Sequence, residues 1–514
     1  MTGNHIQMCF LLCSLFPEDE EIRIEILIMC GIGVGLFPNF YSIEDKRKKI
    51  VEALKKLQKS GLLLETDDVD TISIHDVIRD FAHWLTTTGE NRFMVKDTLK
   101  EWPHMDESYT AIALWNCSSI IQKFPDKVKF SKLKTLFLEG ERKRNRDDFL
   151  VVFGFPSLPN LKTLWCHDCM LKNFSSSLTN MRSLEILALI GTKIDEISEE
   201  LVKLSALKYL RFSGDRLEEM NIPPNLVSRL TSLQELHVIN KNNLNLLELK
   251  SLSRLTALSL RLSTNQIPRD DFVLPKLQRY AIIGENYSSN REAFIRILDI
   301  QDFSSSLSAF NNLFCNVEEL NLRNVGGQKN IVPSIDEMGV NELTSLQLES
   351  CNDMEFLIDT KNDQGSTAAF SNLVELYIES MVSLKGLCYG VSPTRFLQNL
   401  KRVIIRDCKE LQVIFQMDKL SEKVKCQMPL LSNLTILELY SLPKLESIWE
   451  VKPSHRAIAS LQSLKVVRIK YCDNLKTIFS PCLALSMLHL EELYIRHCDR
   501  LEQVIGFGQE DEII

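Results

Sequence analysis

A histidine and an aspartate stand side by side at the junction within TISIHDVIRDFAHWL, Thr71 to Leu85. An imidazole next to a carboxylate can serve in acid–base catalysis or in metal binding, so His75, Asp76 and Asp80 are candidates for a catalytic cluster. No Ser or Cys nucleophile is tied to them by sequence, and a His-Asp pair alone is weak evidence for catalysis. A hydrolase centred on His75 is therefore one hypothesis, but the sequence favours a protein that is not an enzyme. A plainer alternative is that His75 and Asp76 only cap the helix that follows.

Cys-His-Asp-Cys, from Cys166 to Cys169, is the second group with metal-binding residue types. Zinc sites with this spacing need a second ligand pair, and the sequence offers one CxxC. Cys166 falls on an inward position of a repeat and Cys169 on a recurrent Cys/Asn position, so we predict buried structural thiols and no metal. The same prediction applies to the cysteines at that position in later repeats, which are Cys351, Cys408, Cys472 and Cys498.

The repeat that positions these cysteines has the frame L-x-x-L-x-L, and its copies lie mostly 22 to 30 residues apart. Alternation sends two side chains inward and the intervening ones outward, so each copy supplies one short strand to a stacked parallel sheet. We predict an α/β leucine-rich-repeat solenoid over residues 106–514, with parallel strands on its concave face and about fifteen irregular repeats. The long gap from Leu277 to Val317 indicates an insertion or a degenerate unit. The frames begin at Tyr109, Leu133, Leu161, Leu184, Leu207, Leu233, Leu255, Leu277, Val317, Leu343, Leu373, Leu400, Leu434, Leu464 and Leu490.

Residues 1–105 do not follow the repeat frame. SIEDKRKKIVEALKKLQKSGLL predicts a helix with Ser42 as its N-cap and a stop at Gly61, and its i,i+4 charge pairs indicate a solvated, Lys-rich face. The next segment predicts a small hairpin around the acidic turn Asp67–Asp70. A helix, a hairpin and a second helix in this order predict a small winged-helix domain.

Composition excludes several classes of protein. The net charge of −8 argues against a nucleic-acid binder, and we interpret the basic run at Glu141–Arg146 as a solvated loop. Glycine, proline and asparagine interrupt the longest apolar stretch, so we predict no membrane span. Scattered cysteines and the absence of a signal peptide predict a cytoplasmic location. Four glycosylation sequons, at Asn116, Asn173, Asn286 and Asn433, leave an extracellular receptor as a weaker alternative.

Two motifs in the first 105 residues resemble those of a known family. CFLLCSLFPEDEEI (Cys9–Ile22) and ISIHDVIRDFA (Ile72–Ala82) resemble the Phe-Pro-Glu-Asp and Met-His-Asp motifs of plant intracellular nucleotide-binding leucine-rich-repeat disease resistance proteins of the coiled-coil class. GLF at Gly35–Phe37 and the repeat array agree with this family. Ile74 replaces the motif methionine, which is a conservative apolar change. No G-x-x-x-x-G-K-[ST] loop is present, so the chain resembles the carboxy-terminal part of such a receptor, without its phosphate-binding loop.

The resemblance implies roles for the His-Asp pair. In the family, the motif histidine contacts the β-phosphate of bound ADP and helps to hold the resting state, so His75 is expected to bind the nucleotide and Asp76 to support the turn. The missing phosphate-binding loop means that ADP or ATP is expected only together with the missing nucleotide-binding half. No cofactor is expected for this chain alone.

The implied function is that of an immune receptor fragment. The repeats would recognise a pathogen effector or a guarded host protein and regulate an ADP/ATP switch in the intramolecular nucleotide-binding domain. A substrate-recruiting adaptor is the alternative. Alternation in the last repeats places a basic, aromatic patch on the concave face, of the kind enriched at interfaces, and it predicts an acidic partner surface. The earlier aromatic pair Phe137 and Trp165 is a second candidate contact. The predicted partner-binding residues are Arg402, Arg406, Tyr440, Arg468, Lys470, Tyr494 and Arg496.

Overall fold

The protein is described here from a computed structural model. The structure describes residues 2–89, 91–118, 130–141, 150–214, 220–268, 272–285, 287, 296–304, 307–336, 340–360, 369–390, 393, 396–416, 430–450 and 459–506. The basic run at Glu141–Arg146 lies outside these residues except for its first member, and so does the sequon asparagine Asn286. The chain forms two compact units, which divide between Leu262 and Ser263.

The first unit begins with a head of four helices and a small antiparallel sheet, residues 2–89. Ser42 accepts a hydrogen bond from the Asp45 backbone N–H and caps helix α3, which confirms the predicted helix. The predicted hairpin is also confirmed, because β2 and β3 pair with Leu64 opposite Ser73, and β1 adds a third strand. A winged helix in the strict sense remains a prediction. The elements are α1 Thr2–Cys13, β1 Ile22–Arg23, α2 Ile24–Val34, α3 Ile43–Lys59, β2 Leu64–Glu65, β3 Thr71–Ser73 and α4 Asp76–Thr88.

The rest of the first unit is a parallel sheet with a second, shorter row of strands beside it. The main strands are β4 Arg92–Lys96, β5 Tyr109–Cys117, β6 Thr135–Gly140, β8 Thr163–His167, β10 Ile186–Ile190, β12 Tyr209–Ser213, β13 Glu235–Val238 and β14 Ala257–Leu262. The second row consists of β7 Leu150–Phe153, β9 Cys169–Lys172 and β11 Lys193–Ile194. Helix α5 Phe174–Leu178 and 3₁₀ turns at Glu199–Lys203, Val227–Arg229 and Leu246–Ser251 connect them. Strand β4 already joins this sheet ahead of the predicted boundary between residues 105 and 106, which stays a prediction.

The second unit repeats this arrangement. Its main strands are β15 Arg279–Gly284, β16 Ile297–Gln301, β17 Glu319–Arg323, β18 Ser345–Glu349, β20 Glu375–Glu379, β22 Arg402–Arg406, β24 Ile436–Tyr440, β26 Val466–Lys470 and β28 Glu492–Arg496. The second row consists of β19 Ile358–Asp359, β21 Cys388–Tyr389, β23 Val413–Gln416, β25 Ser447–Glu450, β27 Thr477–Phe479 and β29 Gln503–Ile505. The helical pieces are Thr264–Gln266, Leu307–Phe310, α6 Asn311–Phe314 and α7 Pro481–Ser486.

The leucine frame explains the parallel sheets. In β22, Val403 and Ile405 point into the core and are fully buried, while Arg402 and Arg406 lie on the opposite face, which we call the open face. Each of the fifteen predicted frames leads into a main strand. In the long gap between two frames the structure places a further strand, β16, in register with β17. Parallel leucine-rich repeats are therefore the architecture of each unit, and the gap contains a degenerate repeat.

The recurrent cysteines close the turns after the strands that they follow. The thiol of Cys408 donates to the carbonyl of Arg406 at 3.2 Å, and Cys472 makes the equivalent bond to Lys470 at 3.5 Å. The residue between them, Asp407 in the first case, has a positive φ of 53° that turns the chain away from the sheet. Thirteen cysteines of the described residues carry free thiols. The predicted burial is confirmed for Cys166, Cys169, Cys351, Cys408 and Cys472, whereas Cys498 is only half-buried.

Candidate functional site

His75 lies at the N-cap position of α4 with an extended backbone (φ −67°, ψ 137°). Its carbonyl accepts hydrogen bonds from the backbone N–H groups of Ile78 and Arg79, both at 2.9 Å, but its side chain makes no capping bond. The imidazole and the neighbouring Asp76 carboxylate are both exposed. His75 therefore caps the helix through its backbone only, which leaves the imidazole at a helix N-terminus, where anions are favoured.

The two motifs that carry the family resemblance contact each other. Arg79, on α4, pairs with Glu18 of the Phe-Pro-Glu-Asp segment at 2.7 Å and with Asp80 at 2.6 Å. Partial burial opposes the charged form of Arg79, but the bonds to Asp80 and Glu18 outweigh it and raise its pKa. Asp80 is thus engaged by Arg79, and the structure does not assemble it with His75 into an acid–base cluster.

Helix α4 also presents an apolar stripe to solvent. Val77, Phe81 and Trp84 are 71%, 53% and 58% exposed, and the spacing of four and three residues puts them on one helix face. The rings of Phe81 and Trp84 stack with centroids 6.1 Å apart. Large apolar side chains exposed together in this way commonly mark a contact surface.

The opposite side of the head packs on the open face of the first parallel sheet. Trp115 packs between Phe16 of the head and Phe137, with ring centroids 5.3 and 4.1 Å away. Its indole N–H donates to the Leu15 carbonyl at 2.8 Å. Phe137 and Trp165 are only 1% and 2% exposed. The prediction that this aromatic pair forms an alternative partner contact is therefore wrong, because the head already covers both rings.

Helix α2 approaches the same sheet closely at Gly33. The Thr163 hydroxyl donates to the Met29 carbonyl at 3.1 Å, and the Thr135 hydroxyl donates to the Cys30 carbonyl at 3.4 Å. A Cβ at Gly33 would collide with both hydroxyls. Glycine is required here because the helix backbone lies directly on the threonines.

Helix α3 adds a buried ionic contact between the head and the sheet. Arg47 bonds to Glu25 within the head and reaches Glu235 on β13 at 3.1 Å. The Glu235 side chain is fully buried, and His237 lies 3.5 Å from it. Burial opposes the charged form of Arg47, but the carboxylates of Glu25, Glu235 and Glu44 outweigh it and raise its pKa. The predicted solvated face of α3 is therefore wrong in part, since Lys46 and Arg47 are only 8% exposed.

The seven predicted partner-binding residues lie together on the open face of strands β22 to β28. Arg406, Tyr440, Lys470 and Arg496 occupy equivalent register positions in successive strands. The Arg406 guanidinium lies 5.0 Å from the centre of the Tyr440 ring, and the Lys470 ammonium lies 5.2 Å from it and 4.9 Å from that of Tyr494. Alternating cations and aromatic rings therefore hold one another in place, and we call the seven residues the basic ladder.

Not every cation of the basic ladder is available to a partner. Arg468 donates to both oxygens of Glu492 and to Glu438, with all three distances 2.8 Å, and Arg406 lies 3.8 Å from Glu438. Within the described residues, no carboxylate lies at ion-pair distance from the other three cations, Arg402, Lys470 and Arg496. Arg468 is thus a structural cation, and replacing it by Glu would bring three carboxylates together.

In the part of the chain that the structure describes, one group has the composition of a metal site. Glu139, His167 and Asp168 place one potential ligand atom each within 4.8 Å of one another. His167 Nδ1 lies 3.0 Å from Glu139, and Nε2 lies 3.7 Å from Asp168. Both nitrogens of the His167 imidazole already face carboxylates. We therefore interpret the three residues as a histidine held by its two acidic neighbours. The sequence prediction missed it because Glu139 comes from the neighbouring strand.

The contact between head and sheet was also missed, although the sequence contained a signal. The open-face positions of the first repeats hold Ala111, Ala113, Trp115, Phe137, Trp165 and Ala188, which are apolar where a solvated face would be polar. This composition predicts a covered surface. The ionic pair has no such signal, because Arg47 and Glu235 are far apart in sequence.

Comparison with known proteins agrees with the resemblance. Residues 362–499 match the family described as plant disease resistance protein RPS2-like, leucine-rich repeats. Disease resistance protein At4g27190 of Arabidopsis thaliana is 25% identical over 551 residues, which cover 98% of this chain and 52% of that protein. Disease resistance protein RPS5 of the same plant is 24% identical over 520 residues, with 97% and 52% covered. The chain spans about half the length of these curated relatives.

Among solved structures, an LRR protein of Leptospira interrogans aligns with 74% of this chain and 81% of its own, at 18% identity and a TM-score of 0.43. Within the described residues, no helix is both long and apolar enough to cross a membrane. Along nearly its whole length the chain is homologous to plant disease resistance proteins such as RPS5, as its two motifs and its repeat array predict, and residues 362–499 match the RPS2-like repeats.

Proposed function

We propose that this chain is the sensing part of a plant immune receptor, in which the repeats recognise a pathogen effector or a guarded host protein and restrain a nucleotide switch. The observation that carries the proposal is the buried contact between head and repeats. Arg47 ties the head to β13 through Glu235, while His75 stays exposed on α4. The repeats thus hold the head that carries the His-Asp motif.

The switch itself requires a nucleotide-binding domain that is not found in these 514 residues. The exposed stripe of Val77, Phe81 and Trp84 supports a docking surface for that domain, next to His75 on the same helix. His75 would then contact the β-phosphate of ADP, and Asp76 would support the turn. Without that domain the chain has no phosphate loop, so we expect it to bind ADP weakly or not at all.

Recognition is assigned to the basic ladder. Three of its cations, Arg402, Lys470 and Arg496, have no carboxylate at ion-pair distance within the described residues and fit an acidic protein surface. The tyrosines beside them supply rigid apolar contact area. The proposed role of the repeats is binding rather than catalysis. Free thiols throughout the described residues support a cytoplasmic location. Binding should weaken as salt screens the exposed charges.

The nucleotide arm is tested in a chimera, with the nucleotide-binding half of a relative such as RPS5 placed ahead of Met1. His75→Ala and Asp76→Val should release ADP faster and cause signalling without a ligand. Asp67→Ala, a change of an exposed carboxylate on the acidic turn, is the matched control and should be silent. Folded His75→Ala and Asp76→Val chimeras that retain ADP like the unmodified chimera would overturn the assignment.

The recognition arm is tested by combining Arg402→Glu, Lys470→Glu and Arg496→Glu. Partner capture in plant cells should be lost, while the far-ultraviolet circular dichroism spectrum stays unchanged. The control combines Lys409→Glu, Lys476→Glu and Arg500→Glu, which changes the charge equally at exposed positions outside the main strands. If both triple variants behave alike, the partner contact lies elsewhere. Capture of ubiquitin-ligase subunits by the head would instead favour an adaptor.

A further inference from the structure

Three lysines gather around one glutamate where the head meets the first parallel sheet. Lys162, Glu185 and Lys208 precede strands β8, β10 and β12 in neighbouring repeats. Backbone bonds hold them side by side, since Glu185 N donates to the Lys162 carbonyl at 2.9 Å and Lys208 N to the Glu185 carbonyl at 2.8 Å. Their side chains also meet: the Lys162 ammonium lies 2.9 Å from one Glu185 oxygen and that of Lys208 2.8 Å from the other. The two lysines therefore occupy both oxygens of the only carboxylate in this group.

Helix α3 adds the third lysine. Lys46 is held between two anchors of the head, because the Ile43 backbone N–H donates to Gln234 at 2.8 Å and Arg47 bonds to Glu235. Burial lowers the pKa of Lys46, and repulsion by Lys208 and Lys162 adds to this effect against the attraction of Glu185. Within the described residues, no carboxylate lies at ion-pair distance from the Lys46 ammonium. Three cations thus share one carboxylate.

The row of residues on either side supplies no further negative charge. Lys134 follows Lys162 on one side and Gln234 follows Lys208 on the other, each joined by a backbone bond of 2.8 Å. Like charges that are partly removed from water repel one another strongly, so this arrangement is unfavourable without a counter-ion. The Lys162 and Lys208 side chains are 39% and 27% exposed. The group is therefore open to a ligand from solvent.

We propose that Lys46, Lys162 and Lys208 around Glu185 bind the phosphate group of a small phosphorylated molecule and thereby fasten the head to the repeats. Lysine ammonium groups bind phosphate as point charges without a fixed fork geometry. A phosphate group near neutral pH carries close to two negative charges, which offsets the excess of cations over the single carboxylate. The ligand would contact the head through Lys46 and the sheet through the other two lysines. None of these residues belongs to the His-Asp motif or to the basic ladder.

The test uses pyrophosphate as the probe and the full chain as the receptor, with isothermal titration calorimetry and thermal unfolding at constant ionic strength. Pyrophosphate should bind and raise the unfolding temperature of the chain. Lys46→Gln or Lys208→Gln should weaken pyrophosphate binding at least about tenfold, because each removes one hydrogen bond to a charged group. Lys48→Gln, a change of an exposed lysine on the same helix, should leave binding unchanged. Glu185→Gln should tighten binding, because it removes the carboxylate that competes for two of the lysines.

Several outcomes would overturn the proposal. One is a thermal shift that sodium chloride reproduces at the same ionic strength. Another is equal binding by the Lys208→Gln and Lys48→Gln variants, which decides the matter even if Lys46→Gln does not fold. Binding of tetraglutamate in place of pyrophosphate would assign the cluster to an acidic protein segment instead of a phosphorylated small molecule.

Discussion

Replacing Arg47 by alanine tests how the head is held on the repeats. The substitution removes the cation that lies between Glu25 and Glu235, and it leaves α3 itself able to form because alanine is a strong helix former. Glu235, which is fully buried, then loses the opposite charge that Arg47 supplies. His237 lies 3.5 Å from the same carboxylate.

The expected cost is large for a single substitution. Breaking a buried ion pair by removing one partner destabilises by about 3–5 kcal/mol, since the other charge stays buried. Lys48→Ala is the matched control on the same helix. Its side chain is 63% exposed and lies 4.0 Å from Glu44, so its loss should cost about 0–1 kcal/mol. Arg47→Met with Glu235→Met should recover more than half of the loss, because it removes the buried carboxylate together with the cation.

The measurement is denaturant unfolding of the full chain followed by tryptophan fluorescence, with hydrogen exchange resolved by peptide. Trp115 and Trp165 lie under the head and are 3% and 2% exposed, so undocking of the head should shift emission to longer wavelength. Hydrogen exchange in Arg47→Ala should rise in α3 and β13 and remain unchanged in β22 to β28. Equal free energies of unfolding for Arg47→Ala and Lys48→Ala would refute the reasoning.

Three further predictions concern packing, charge and thiol reactivity. Gly33→Ala should destabilise the head contact by about 1–3 kcal/mol, measured as a lower unfolding temperature, because its Cβ would collide with Thr135 and Thr163. Arg468→Gln should increase hydrogen exchange in β24 to β28, whereas Lys470→Gln should not, since only Arg468 is bonded to Glu438 and Glu492. A hydrogen bond to Cys472 lowers the pKa of Cys498 to about 7, while burial raises that of Cys408 to about 12. Cys498 is therefore expected to react with iodoacetamide at a rate that rises up to about pH 8 and then levels off, while Cys408 stays unmodified in the folded chain. Mass spectrometry of labelled peptides measures both reactions. A rate at Cys498 that keeps rising to about pH 10 would contradict the lowered pKa.

Local patterns predicted most of the fold. The L-x-x-L-x-L frame fixes which side chains enter the core, so the main strands at the predicted frames follow from alternation alone. The cap at Ser42 and the hairpin at Asp67–Asp70 likewise depend on neighbouring residues. Strand β16 escaped prediction because it lies within a degenerate unit whose frame is poorly spaced from the preceding one.

Contacts between distant segments were beyond prediction from one sequence. The basic face of α3 has the charge pairs of a solvated helix, and nothing within it indicates that Arg47 meets a carboxylate 188 residues away. The positions of the basic ladder were predictable from alternation. The pairing of Arg468 with Glu438 and Glu492 was not, because it joins side chains of three different strands. Alternation gives the face of each side chain, whereas pairing depends on which rotamers neighbouring strands allow.

The central claim is that the repeats and the head together control a nucleotide switch. It is tested most directly by ADP dissociation from a relative's nucleotide-binding half, measured with and without this chain fused behind it. We predict that the fused chain slows ADP release, and that Arg47→Ala and His75→Ala each return the rate toward that of the isolated half. An ADP release rate that is the same with the fused chain, without it and in both variants would contradict the claim.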